Sequence, residues 1–256
     1  MSEPEKITCD DLEQTIERYT NELGYRLDMI MPADAPREAL MSKGGDTICL
    51  MLKPAREQGR YHQHPYIALA DARACAKADW ITGRAGMMYR DLIPDRLGGK
   101  TTASHIRIVE GGEVPDSVHY HKIAFQMIYC VKGAIRVVYE DQGPPFWLKP
   151  GDCVLQPPEI RHRVLEAEAG SEVIEITSPA EHETWFDHES ILPTSMVNPQ
   201  RIFGGQYFVL LSTTGNGGIF AALKEMKDKL SEMPSPNINE IINNIGMIEN
   251  ILTIEK

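Results

Sequence analysis

His119 and His121 stand one residue apart in the stretch DSVHYHKIAFQ. In an extended strand alternate side chains share a face, so this spacing turns both imidazoles the same way and lets one short segment supply two metal-ligand nitrogens. A metal centre needs further donors from neighbouring strands. Gln126, which follows in the same stretch, and His162, far downstream in PPEIRHRV, are the candidates. Imidazole nitrogens with one oxygen donor and open positions suit one divalent ion such as Fe(II), Mn, Ni or Zn. His62 and His64 repeat the His-x-His spacing but have no third ligand nearby, so they read as loop histidines.

The elements that must hold these residues are short strands. From Met87 onward, β-branched and aromatic runs (SHIRIV, FQMIYCV, AIRVVYE, DCVLQP, HRVLEAE, EVIEITS) alternate with turns such as EGGEVPD, EDQGPP and KPGD. That alternation predicts a β-sandwich or barrel. If Gln126 faces inward, then Ala124, Ile128 and Cys130 share its face and Phe125, Met127 and Tyr129 face the other way, leaving a largely apolar interior suited to an organic ligand. His105 and Arg107 also share a face; turned inward, Arg107 would bind a substrate carboxylate through paired hydrogen bonds, and turned outward it would lie on a solvated strand face. Glu175 and His182 are polar residues near the barrel's end to which the sequence assigns no role. Cys153, with no paired base, reads as structural.

Flanking regions differ in pattern. DDLEQTIERYTNEL places Leu12, Ile16, Tyr19 and Leu23 at helical spacing behind an acidic first turn, and Gly24 stops the helix. A strand (YRLDMIM), a Pro-bounded helical piece (APREALMSK) and a second strand (DTICLML) are expected next, followed by a helix in ALADARACAKADWI. After Pro193, NPQRIFGGQYFVLL predicts a loop and one strand added to the sheet. Two helices then follow, GIFAALKEMKDKLSEM and NINEIINNIGMIENILTIEK, broken at Pro234–Pro236. In the last helix Ile238, Ile241, Ile245, Ile248 and Leu252 form a seam that docks on its own chain or on a second copy in a homo-oligomer, as in a dimer. The expected organisation is an N-terminal α+β segment and linker over 1–83, a barrel over 84–212 and a helical tail over 213–256.

The formal charge of -11, from 26 basic and 37 acidic residues, repels phosphate backbones and anionic lipid, so neither nucleic acid nor membrane is an expected partner. No stretch approaches the roughly 18 to 20 apolar residues of a bilayer span, and the start lacks a signal-peptide pattern. Five scattered cysteines fit a reducing, cytoplasmic setting.

GEVPDSVHYHKIAFQMIYCVKG resembles the first conserved motif of the cupin superfamily, and GDCVLQPPEIRHRV the second, with Gly151, Pro157 and His162 at the expected separations. The resemblance covers roughly residues 87–185 and implies a mainly β fold, a cupin-type β-barrel or jelly roll. It maps the family's four ligands onto His119, His121, Gln126 and His162. Gln126 stands where the family usually has Glu, Glu159 stands where the second motif usually has Gly, and the leading glycine is shifted by one residue. With glutamine the centre keeps a net charge of +2, which favours an anionic, chelating substrate; Gln126 either ligates directly or hydrogen-bonds a metal-bound water. The resemblance implies a non-haem Fe(II) dioxygenase acting on a small molecule. Alternatives are a redox-inert metal isomerase or lyase, or a non-catalytic regulatory barrel that binds a small anion. A second, shorter resemblance, to half of a glyoxalase/bleomycin-resistance module, covers residues 10–53 through Tyr19, Leu23, Gly24 and Tyr25.

Overall fold

Residues 3–54, 80–83, 86–212 and 218–253 are described by the computed structural model. The His62/His64 pair and nearly all of ALADARACAKADWI lie outside them. The N-terminal unit comprises β1 (Glu5–Cys9), α1 (Leu12–Asn21), β2 (Arg26–Met31), β3 (Glu38–Lys43) and β4 (Asp46–Leu52). The Asp11 carboxylate caps α1 by accepting from the Gln14 amide, and Gly24 takes a positive φ of 72° just beyond the helix, so both predicted ends of this helix are chemically explained.

The helical reading of APREALMSK is corrected, because Glu38–Lys43 is a strand paired on both sides, with β2 and β4. Ala, Leu and Met favour helices, but alternation decides here: Ala39 and Met41 are fully buried against Leu12, Ile30 and Leu50, and two ladders satisfy the backbone.

The barrel strands follow: β5 (Ile81–Thr82), β6 (Met88–Asp91), β7 (Thr102–Ile108), β8 (Gly112–Glu113), β9 (His119–Lys122), β10 (Phe125–Lys132) and β11 (Ile135–Tyr139). Next come β12 (Phe146–Leu148), β13 (Asp152–Leu155), β14 (His162–Ala167), β15 (Ser171–Ser178) and β16 (Glu183–Phe186). The chain then forms the hairpin β17 (Ile202–Phe203) and β18 (Gln206–Tyr207), then β19 (Val209–Ser212). The hairpin was not foreseen, although Gly204 and Gly205 carry the two positive φ angles that such a tight turn requires. β19 adds to the sheet beside β13, as expected.

Two sheets face each other. One runs β19-β13-β10-β15-β7-β6-β5; the other runs β1-β4-β3-β2-β16-β9-β14-β11-β12, with β8 also on β14. The second is continuous from the N-terminal unit into the barrel because β2 pairs with β16. The outer face of the first is covered by α2 (Gly218–Ser231) and α3 (Ile238–Thr253). Leu223, Met226, Ile241, Ile245 and Ile248 share one core with Phe125, Met127 and Tyr129. Ile241, Ile245 and Ile248 of the seam are thus buried within their own chain. No helix among the described residues is long and apolar enough to cross a membrane.

Candidate metal centre

The three histidines come from adjacent strands of one sheet. His119 and His162 are register partners across β9 and β14, and His121 follows His119 by the two residues that keep it on the same face. One ring nitrogen from each lies within 4.8 Å of the others, and all three residues are buried.

What the far side of each ring touches decides which nitrogen faces inward. His119 Nδ1 lies 2.7 Å from the Ser117 carbonyl oxygen and 3.5 Å from Asp116 Oδ1. His162 Nδ1 lies 3.0 Å from the Ile160 carbonyl oxygen, and His121 Nδ1 lies 2.9 Å from Thr184 Oγ1, on the strand paired with β9. The carbonyl acceptors at Nδ1 of His119 and His162 hold the proton there and leave Nε2 with a lone pair for the shared point, and the Thr184 hydroxyl fixes the rotation of the His121 ring. The donor set therefore fits a divalent ion: three imidazoles preset in direction, two of them also in tautomer, inside a cavity.

The opposite sheet contributes amides and a carboxylate. Gln126 on β10 donates from Nε2 to Glu175 Oε1 at 2.7 Å, and its Oε1 accepts from Gln156 Nε2 at 3.1 Å. Gln156 Nε2 also lies 3.2 Å from His162 Nε2, and Gln156 Oε1 accepts from the Tyr139 hydroxyl at 2.6 Å. Burial raises the Tyr139 pKa far above its ordinary value, with the Glu175 charge adding to the shift, so this phenol stays a donor at the head of a chain that ends on Glu175.

These groups line one cavity of about 70 Å³, walled otherwise by side chains such as Ile106, Ile128, Val137 and Val164. The apolar interior expected from alternation is present: Gln126 and Ile128 face the cavity, Cys130 joins the inner core, and Phe125, Met127 and Tyr129 face the helices. Ala124 departs from that pattern and packs toward the helix side, because the strand begins only at Phe125.

Arg107 is also corrected. Ile106 and Ile108 hold the inner face of β7, so Arg107 points outward, where Nε donates to Glu172 Oε1 at 3.1 Å and the guanidinium lies 4.3 Å from the Trp80 ring centroid. His105 shares that outer face, with Nε2 2.8 Å from Glu172 Oε2.

Three further residues reach the cavity: Gln156, Glu175 and His182. The His182 ring stands perpendicular to His121 at 5.1 Å between centroids, and burial lowers its pKa to about 4, which keeps it neutral. Only β16 pairing with β9 brings residue 182 beside residue 121, and no local sequence signal encodes that pairing.

A comparison with protein families matches residues 105–177 to the cupin domain. Residues 105–177 are a cupin domain. Among solved structures similar to this chain, KdgF from Halomonas sp. is 24% identical, with TM-score 0.34, over 41% of this chain and 88% of its own. An RmlC-like cupin from Shewanella frigidimarina NCIMB 400 is 24% identical, with TM-score 0.34, over 41% of this chain and 86% of its own. A deletion mutant of Bacillus subtilis oxalate decarboxylase is 17% identical, with TM-score 0.34, over 41% of this chain but only 28% of its own. A comparison with curated proteins finds no match.

Proposed function

We propose that this cupin is a metal-dependent enzyme for a small anionic, chelating organic substrate, and that it works as a non-haem Fe(II) dioxygenase. The observation that carries this reading is the neutral ligand set: three histidines, each with Nδ1 engaged by an oxygen, around one point that no ligating carboxylate among the described residues shares. A divalent ion there keeps its full +2 charge, so an anionic chelate is attracted more strongly than at a centre with a glutamate ligand. When bound, Fe(II) supplies Lewis acidity and a redox couple for O₂.

The chain's own groups do the positioning. Isoleucine and valine walls exclude water from the reacting groups and strengthen electrostatic contacts within the cavity. Gln126, with its amide committed to Glu175 and Gln156, acts as a bridge behind the histidines and fixes the position of the Glu175 carboxylate by donating to it.

Glu175 favours a second reading, a redox-inert isomerase or lyase. A carboxylate that lines the cavity outside the histidine set is placed to accept a proton from carbon beside a substrate carbonyl. Metal analysis of purified protein, then O₂ uptake by Fe(II)-loaded enzyme against diketones and hydroxylated aromatic acids, separates the two. Substrate-dependent O₂ uptake is the expected result. Turnover with Zn(II) in the absence of O₂ would overturn the dioxygenase reading in favour of the isomerase or lyase, and absence of metal would overturn both.

A further inference from the structure

Four residues that line the cavity, Ala33, Met87, Tyr89 and His182, lie outside the matched cupin segment, and two of them stand in loops that form its roof. Ala33 lies in the loop between β2 and β3 of the N-terminal unit, and His182 lies in the loop between β15 and β16; both line the cavity. Side chains on either side fasten this roof. Buried Arg96 binds Asp34, next to Ala33, and also donates from Nε to Asp91 Oδ2 at 2.9 Å, while Arg37 binds Glu181, next to His182. Behind the loop there is no slack: a Cβ at Gly83 would stand 2.6 Å from the Asp34 carbonyl oxygen and 2.7 Å from the Tyr89 ring.

His182 is 8% exposed, yet neither ring nitrogen makes a hydrogen bond of normal geometry among the described residues; the Pro179 carbonyl is the acceptor that approaches the ring. A buried imidazole left in that state costs free energy unless a ligand or water in the cavity completes it. It stands one ring beyond His121, on the cavity wall and outside the three-histidine set.

We infer that this roof is the specificity element of the centre: His182 hydrogen-bonds a second polar group on the substrate, and Ala33 sets its length. The inference rests on the proposed function, since it takes a metal-chelating anion as given. The substrate class follows from chemistry and space. One end is a chelating acid, and the other is a hydroxyl, carbonyl or carboxylate that meets an imidazole. A cavity of about 70 Å³ has space for only a few waters, so the ligand is compact, of the size of a three-carbon hydroxy acid.

The test uses Co(II)-loaded full-length protein titrated with lactate, glycerate and 2-hydroxypentanoate, read by the visible absorption of the metal. Lactate and glycerate share one chelating head, and glycerate adds a distal hydroxyl. Wild-type protein is expected to prefer glycerate by about five- to tenfold, the span of one net hydrogen bond. His182→Leu should collapse that ratio to about one at unchanged Co(II) content, and His182→Gln, which keeps a donor and an acceptor, should restore part of it. Ala33→Gly should admit 2-hydroxypentanoate and Ala33→Leu should exclude glycerate; these carry the test if the His182 variants do not fold. An unchanged glycerate-to-lactate ratio in His182→Leu, or unchanged length selection in both Ala33 variants, overturns the inference while the proposed function stands. Wild-type protein that takes up no Co(II), or whose spectrum ignores lactate, overturns the proposed function as well.

Discussion

Strand β10 carries two different environments on its two faces. Inward, Gln126 sits in a hydrogen-bonded chain from Tyr139 to Glu175, opposite three histidines; outward, Phe125, Met127 and Tyr129 meet Leu223, Met226 and the isoleucines of α3. The inner face spends burial on groups that oppose folding unless each finds a partner, whereas the outer face is apolar contact throughout. One strand's period of two thus separates chemistry from stability, with the C-terminal helices supplying on one side what the polar cavity gives up on the other.

If that division holds, substitutions on the two faces should fail in different ways. The largest effect is expected from His162→Ala, which removes one of three ligands. Stoichiometric metal should fall to none by elemental analysis, while far-ultraviolet circular dichroism and cooperative melting persist, because the strands around it hold their own core. Retained stoichiometric metal would break the assignment. Next comes Leu223→Ala on the outer side, a fully buried residue whose truncation should cost about 2 to 5 kcal/mol by denaturant titration. Metal bound per folded molecule should not change. A loss of metal in that variant would mean that the two faces are coupled and not divided.

A smaller effect is expected from Thr184→Val. Its hydroxyl holds His121 Nδ1 from the neighbouring strand, and the partner of a ligating imidazole is typically worth about 10- to 100-fold in metal affinity. A competition titration against a chelator reads this directly, and an unchanged affinity would show that the His121 ring is fixed by packing alone.

How far all this could be read from the sequence also follows the division between faces. The spacings of His119, His121 and Gln126 were legible because they are local: period two on strands bounded by turn residues. His162 was legible through a second motif in order. Glu175 and His182 were visible as polar residues without roles, since their approach to the centre depends on which strands pair. Periodicity put His105 and Arg107 on one face without saying which; the β-branched Ile106 and Ile108 beside them held the deciding signal, because the apolar set takes the inside. In Glu38–Lys43, helix-forming residue types concealed an alternation that only two neighbouring strands make favourable.

The smallest effect concerns a polar clasp away from the cavity, where charge serves only to hold neighbouring segments together. Burial alone would push the Asp187 carboxyl up, but the bond from Arg161 and those from Ser190 and Glu189 outweigh it and hold its pKa well below the usual carboxylate range. With the folded value depressed, the unfolded chain binds the proton more readily, so the contribution is present in full above the unfolded value of about 3.9 and is lost as pH falls below it. Wild-type stability should therefore decline from about pH 5 downward, and Asp187→Asn should flatten part of that decline while lowering stability at neutral pH. Denaturant titrations from pH 3 to 7 on metal-free protein measure both. An undiminished acid slope in the variant would assign the decline to other groups, such as Glu172, whose pKa is raised by burial but lowered more by His105 and Arg107. Because Arg161 immediately precedes His162, the same clasp steadies the start of β14, and Asp187→Asn tests whether the ligand strand needs that charge or only its ladder.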